Sequence, residues 1–285
     1  GFTGRPFAEL AAAAGHEVVP LHADLTDLES LAEEVASVKP EAVVHLAGIS
    51  FVGHAHDDAF YAVNVVGTTN LLDALAQLDS PPRIVLLASS ANVYGNTERS
   101  PIVESEPFAP VNHYATSKVA MEHMARCYMD RLKIVITRPF NYTGPGQDVN
   151  FLIPKLATHF AARRPSISLG NLHVEREFND VRMVCQAYLG LLDHGEAGEV
   201  YNVCSGKPYT LRHVVDLFER LTGHEIEVLV DPAFVRQNEV HTLCGNPSKL
   251  DALFSGRGVY VDAPSLEGTI GRMLDFARQA SATLD

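Results

Sequence analysis

Short apolar runs alternate with helical segments along this chain, and that rhythm limits its fold more than any other feature. The runs are HEVVPL at 16–21, AVVHL at 42–46, RIVLLA at 83–88, KIVITR at 133–138 and VYNV at 200–203. Helical patterns separate them: an Ala-rich stretch ending at Ala14, then 28–38, 60–78, 114–131 and 181–194. A strand that is apolar on both faces must be covered on both faces. Strands joined through helices run parallel. The spacing therefore predicts an α/β fold, a Rossmann-type doubly wound parallel sheet. After Arg138-Pro139-Phe140 the rhythm loosens. A helix at 211–222, a strand at 225–230 and a terminal helix from Leu266 predict a smaller C-terminal lobe.

At 285 residues, with 46% hydrophobic and 20% charged residues, the chain can bury a large core. Its formal net charge of -13 argues against nucleic acid or an anionic membrane as partner. No apolar run reaches membrane-spanning length and no signal peptide is visible, so a cytoplasmic location is expected. Cys127, Cys185, Cys204 and Cys244 are widely spaced, which reads as reduced, mostly buried thiols. His54 and His56 form an HxH pair on a polar stretch that lacks a third ligand, so no metal site is expected.

The chemistry-bearing residues fall at strand ends. Tyr114 and Lys118, in HYATSK, lie four apart and so share one face of a helix. The ammonium is expected to lower the pKa of the phenol, ordinarily about 10. Ser90, in ASSANVYG, follows the strand at 83–88 and could hold a substrate oxygen beside that phenol. Together the three make a proton-transfer device for a carbonyl/alcohol pair. At the other end, Gly1 and Gly4 of GFTG read as the last glycines of a strand-to-helix turn on which a pyrophosphate would sit. The strand and first glycine of such a turn are expected to precede Gly1.

These motifs, in this order, resemble the extended short-chain dehydrogenase/reductase family, in its nucleotide-sugar-modifying branch. The marks are GFTG, Asp24-Leu25, HLAG at 45–48, NVVGTTNLL at 64–72, SSANVYG at 89–95, YATSK at 114–118, RPFNYTGPGQ at 138–147, REFNDV at 176–181 and YNVCSG at 201–206. The resemblance implies a dinucleotide-binding domain at 1–140 plus 179–205 and a nucleotide-sugar lobe at 141–178 plus 206–285. It implies that Gly1 and Gly4 face the cofactor pyrophosphate, that Asp24 and Leu25 flank the adenine, and that Ala47 and Gly48 pass close to the cofactor. Ser90, Tyr114 and Lys118 become the catalytic trio, with Lys118 also bonding the nicotinamide ribose. Asn141 would touch the substrate. Arg176 would either contact phosphate or sugar, or form a structural salt bridge. Arg138 reads as a structural anchor, and Asn64 as a capping or buried polar group. The helices at 60–78 and 114–131 resemble those of a homodimer interface, although outward apolar residues such as Met121 and Met124 could equally be core.

Two details of the resemblance point to a guanosine sugar. RPFNYTGPGQ and REFNDV resemble segments of GDP-4-keto-6-deoxy-mannose reductases, and Arg236 and Glu239 match a pattern of GDP-mannose-modifying enzymes. An arginine can fork onto a diphosphate, and a glutamate can accept from ribose hydroxyls or a guanine edge. Dehydratases of this branch need an extra acid/base pair just before the tyrosine-glycine step. Here those positions hold Ala91 and Asn92, which transfer no proton. A 4-ketoreductase or an NAD-dependent epimerase remains, with a non-catalytic NADP-binding sensor as the reading from another class. No carboxylate ends the run Pro20-Leu21-His22, and Arg5 follows the glycine turn. NADP(H) is therefore expected as cofactor, with NAD(H) tolerated.

Overall fold

The structure is a computed structural model, and it describes residues 1–50, 57–231 and 241–282. The elements run α1 (Gly4–Ala13), α2 (Leu28–Val38), β1 (Ala42–His45), α3 (Asp57–Tyr61), a π-helical stretch at Ala62–Gly67, α4 (Thr68–Ala76) and β2 (Ile84–Ala88). A 3-10 turn at Ala91–Tyr94 follows, then α5 (His113–Arg126), β3 (Ile134–Pro139), β4 (Tyr142–Thr143), α6 (Leu152–Ala161), β5 (Ser166–Leu169), β6 (Glu175–Arg176) and β7 (Asn179–Asp180). The remainder is α7 (Val181–His194), β8 (Val200–Val203), β9 (Tyr209–Thr210), α8 (Leu211–Thr222), β10 (Glu227–Val230), β11 (Thr242–Leu243), α9 (Ser248–Ser255) and α10 (Leu266–Ala282).

The central sheet has the order β1-β2-β3-β8, and every pair in it is parallel. Alternation along the strands divides their side chains between two cores. Val85, Leu87, Ile134 and Ile136 pack with α2, α4 and α5, while Ile84, Leu86 and Val135 pack with α1, α7 and α9. The doubly wound parallel sheet is thus present as the sequence implies. A third core gathers α6, α8 and α10 around β5 and β10, with Phe160 stacked on Phe218 at 5.2 Å. Short strands form two further small sheets: β4 pairs with β7, and β6 lies between β11 and β9.

Two expected elements differ. Residues 16–21 form no strand, and Val18, Val19 and Leu21 are exposed. A strand exists only against a partner. β1 pairs with β2 on one edge, and the run at 16–21 joins no ladder. The helix expected over 60–78 is interrupted by the π-helical stretch, where Asn64 turns inward and is buried. Widened turns of this kind often occur at functional sites. Of the four cysteines, three are buried and Cys127 is exposed; all are free. His54 and His56 lie outside the described residues. Among the described residues no helix is long and apolar enough to cross a membrane.

One buried ion pair ties α5 to β3. Arg138 donates to Glu122 through Nε at 3.0 Å and Nη2 at 2.7 Å, with the side chains 3% and 0% exposed. Its Nη1 donates to the Tyr94 hydroxyl and the Glu104 carbonyl, both at 3.0 Å, so Arg138 is the structural anchor its position suggested. Removing one member strands the other charge in a dry site. Arg138→Met should lower unfolding free energy by about 3–5 kcal/mol, read from the urea midpoint. A loss below about 1 kcal/mol would show that water reaches Glu122.

Candidate active site

α5 begins where Asn112 caps it, its side chain accepting from the Ala115 N–H at 2.8 Å. That start sets the helical phase and turns Tyr114 and Lys118 toward the C-terminal end of β2. Both are buried, at 7% and 6% exposure. Beyond Ala88 the chain leaves the sheet through Ser89 and Ser90, and Ser90 caps the 3-10 turn, accepting from the Asn92 N–H at 3.2 Å. The Ser90 hydroxyl also faces the Tyr114 phenol, closely enough to lower its pKa. Ser90, Tyr114 and Lys118 therefore meet at the open end of the parallel sheet, where ligands of such folds bind.

The electrostatics depart from expectation. Burial pushes the Tyr114 phenol up to about 12, against a partial lowering by Ser90. The sequence predicts a lowering by Lys118, but the ammonium donates to the Ala88 carbonyl at 2.8 Å instead. Desolvation in turn pulls Lys118 down to about 8, opposed by the charge of Glu122. A phenol at about 12 is protonated at neutral pH, which suits an acid that gives a proton to a carbonyl.

The small residues at the end of β1 fit a cofactor. Gly48 lies against Asn64: a Cβ on Gly48 would stand 2.8 Å from Asn64 Oδ1 and 3.5 Å from Lys118 Nζ. Gly48 is thereby brought beside α5. Asn64 holds this turn by accepting from Ile49 N–H at 2.9 Å, and its amide donates to Ser117 at 3.0 Å. At α1, neither Gly1 nor Gly4 has an atom within 4 Å of where a Cβ would stand. No side chain caps that helix and no acidic residue occupies its first turn. An open, uncapped helix N-terminus suits a pyrophosphate. Arg5 follows on the same turn and is exposed. Asp24 closes a tight turn onto Thr26, accepting from its N–H at 2.8 Å and its hydroxyl at 2.7 Å. Leu25 packs on Gly67, where a Cβ would come within 2.8 Å of Leu25 Cβ.

The substrate side is less complete. Asn141 follows β3, and its carbonyl accepts from Asn179 N–H at 2.9 Å. Arg176 donates to the Glu175 carbonyl at 2.7 Å and to the His241 carbonyl at 3.2 Å. Arg236 and Glu239 lie outside the described residues. Asn92, at the position where a dehydratase would carry an acid or base, donates to Ser90 Oγ at 3.2 Å.

Sequence reasoning missed several neighbours. Glu34 on α2 accepts from the N–H groups of His22 and Ala23, at 3.0 and 2.7 Å, which places a carboxylate beside a segment whose own residues carry none. Tyr142, whose hydroxyl lies 2.9 Å from Thr3 Oγ1, stacks on Phe2 and borders the Tyr114 phenol. Glu122 continues the row of Tyr114 and Lys118 by one more turn, a spacing visible in the sequence.

Comparison with known proteins agrees with this fold. Residues 7–254 match the family model for GDP-mannose 4,6 dehydratase. A GDP-6-deoxy-D-talose 4-dehydrogenase from Aggregatibacter actinomycetemcomitans is 36% identical, over 80% of this chain and 77% of its own. A GDP-6-deoxy-D-mannose reductase from Pseudomonas aeruginosa is 35% identical, over 88% and 86%. The structure of RMD from Pseudomonas aeruginosa complexed with NADPH superposes with a TM-score of 0.88 at 32% identity, covering 98% of this chain and 96% of that one. A trio at the sheet's open end, a glycine turn on α1 and a family match across most of the length lead to one conclusion: this chain is an enzyme of the GDP-mannose 4,6-dehydratase family, within the extended short-chain dehydrogenases/reductases.

Proposed function

We propose that this protein reduces the C4 keto group of a GDP-4-keto-6-deoxy-hexose with a nicotinamide cofactor, NADP(H) in preference to NAD(H). The observation that carries the reading is the buried Tyr114 phenol facing Ser90 beside Lys118, with Ala91 and Asn92 where a dehydratase needs an acid and a base. Relatives that act at C4 of GDP-6-deoxy sugars support the direction of the argument. When bound, the reduced nicotinamide supplies a hydride. Ser90 holds the substrate oxygen, and Tyr114, protonated at neutral pH, gives it a proton. Lys118, fixed by the Ala88 carbonyl, stabilises the phenolate that remains. Asn141, Arg236 and Glu239 are assigned to sugar, diphosphate and nucleoside. Gly1, Gly4, Ala47 and Gly48 let the cofactor approach the backbone, and Asp24 and Leu25 border its adenine.

The preference for NADP(H) rests on Arg5, and on Glu34 being committed to backbone N–H groups. NADPH should bind more tightly than NADH in a fluorescence titration, and the reverse order would remove the preference. With NADPH and GDP-4-keto-6-deoxy-mannose, absorbance of the reduced cofactor should fall as the keto sugar is consumed. No oxidation, together with epimerisation of a UDP- or GDP-hexose at constant cofactor, would move the enzyme to the epimerases. Tyr114→Phe should bind NADPH as the parent does and lose turnover by about a hundredfold or more. The pH profile carries a sign. Lys118 serves as a cation and is held down at about 8. The kcat/KM of the parent should therefore fall as pH rises through about 8. A rate that stays flat to pH 10 would exclude Lys118 as the charged partner.

A further inference from the structure

Lys118 sits in a site that disfavours its charge. It is buried, and desolvation alone would favour the neutral amine. Among the described residues, charged or titratable neighbours come from few directions. From β1, His45 bonds Thr68 at 2.9 Å and is held neutral, pushed down to about 3 by burial and by the ammonium itself. Tyr114 on the same helix is neutral. The compensating negative charge is that of Glu122, one turn further along α5 and 0% exposed.

Glu122 also touches the strand end. Its Oε1 accepts from Ser89 Oγ at 2.5 Å, and Arg138 of β3 grips both of its oxygens from the other side. Three successive residues of the β2 end are thus met by three residues spaced four apart on one helix face. Lys118 donates to the Ala88 carbonyl, Glu122 accepts from the Ser89 hydroxyl, and Tyr114 faces the Ser90 hydroxyl. We propose that Glu122 is a positioning residue of this site: its carboxylate anchors the strand end that carries Ser90 and stands as the counter-charge one turn along α5 from the Lys118 ammonium. The inference rests on the reading of Tyr114 and Lys118 as the proton-transfer pair. It adds that the pair works only because a third residue in the same row carries the opposite charge.

The test is to remove that charge and read Lys118. Glu122→Gln keeps an oxygen for Ser89 and Arg138. Glu122→Gln/Arg138→Met removes both members of the buried pair, and serves if the unpaired guanidinium prevents the single variant from folding. Two readouts apply. The alkaline limb of kcat should move to lower pH by about one unit, because losing the anion favours the neutral amine. In carbon-13-labelled lysine protein, the Lys118 resonance, identified by its absence in Lys118→Arg, should titrate lower by a similar amount. A merely structural Glu122 would reduce stability or the yield of active enzyme and leave both midpoints in place. Unchanged midpoints in a folded variant overturn the proposal. An enzyme inert toward every keto sugar would overturn the proposed reaction instead, and the lysine titration would still decide the role of Glu122.

Discussion

One face of α5 pressed against the end of β2 organises this molecule. Tyr114, Lys118 and Glu122 are spaced four apart, so they stack along one line of the helix. The strand offers them Ser90, Ala88 and Ser89 in return. The contact fixes where a parallel strand ends and where a hydroxyl can meet a substrate. It also decides which way the ammonium points. Behind it the Arg138–Glu122 pair locks α5 to β3, and in front the glycine turn at Gly48 brings the end of β1 within reach of Lys118. Four parallel strands covered by helices supply the rigidity, and Ser90, Tyr114 and Lys118 sit at their common end.

Burial sets the character of the site more than pairwise attraction does. It raises the Tyr114 phenol and lowers the Lys118 ammonium, so each group is pushed toward its neutral form. A neutral phenol is the form needed to protonate a carbonyl. A neutral lysine is not the form needed to stabilise the phenolate that follows. The same dry environment therefore helps one partner and hinders the other, and the carboxylate of Glu122 is what opposes the second effect. The Tyr/Lys spacing alone suggested a simpler picture, in which the ammonium lowers the phenol directly.

Much of this was legible in the residues. The apolar runs at 83–88, 133–138 and 200–203 became parallel strands, because a run apolar on both faces has nowhere to go but the middle of a covered sheet. The helices at 28–38, 181–194 and 211–222 appeared where their patterns placed them. The run at 16–21 has a strand-like pattern and forms no strand, since pairing is a property of two segments and a pattern describes one. Nor does local sequence show the π-helical stretch, which exists to turn Asn64 onto Ile49 and Ser117, partners 15 residues behind and 53 residues ahead. The direction of the Lys118 side chain was invisible for the same reason: its acceptor is a carbonyl 30 residues away.

The proposed reaction delivers a hydride to C4 of the sugar beside Ser90 and Tyr114, with the cofactor consumed. The most direct measurement is to run the reaction with NADPH carrying deuterium at the transferable position and to locate the label in the product by NMR. The expected result is deuterium at C4 of the GDP-6-deoxy-hexose, in one stereochemical position, with one cofactor oxidised per sugar formed. An unlabelled sugar product, formed without net loss of the reduced cofactor, would contradict it.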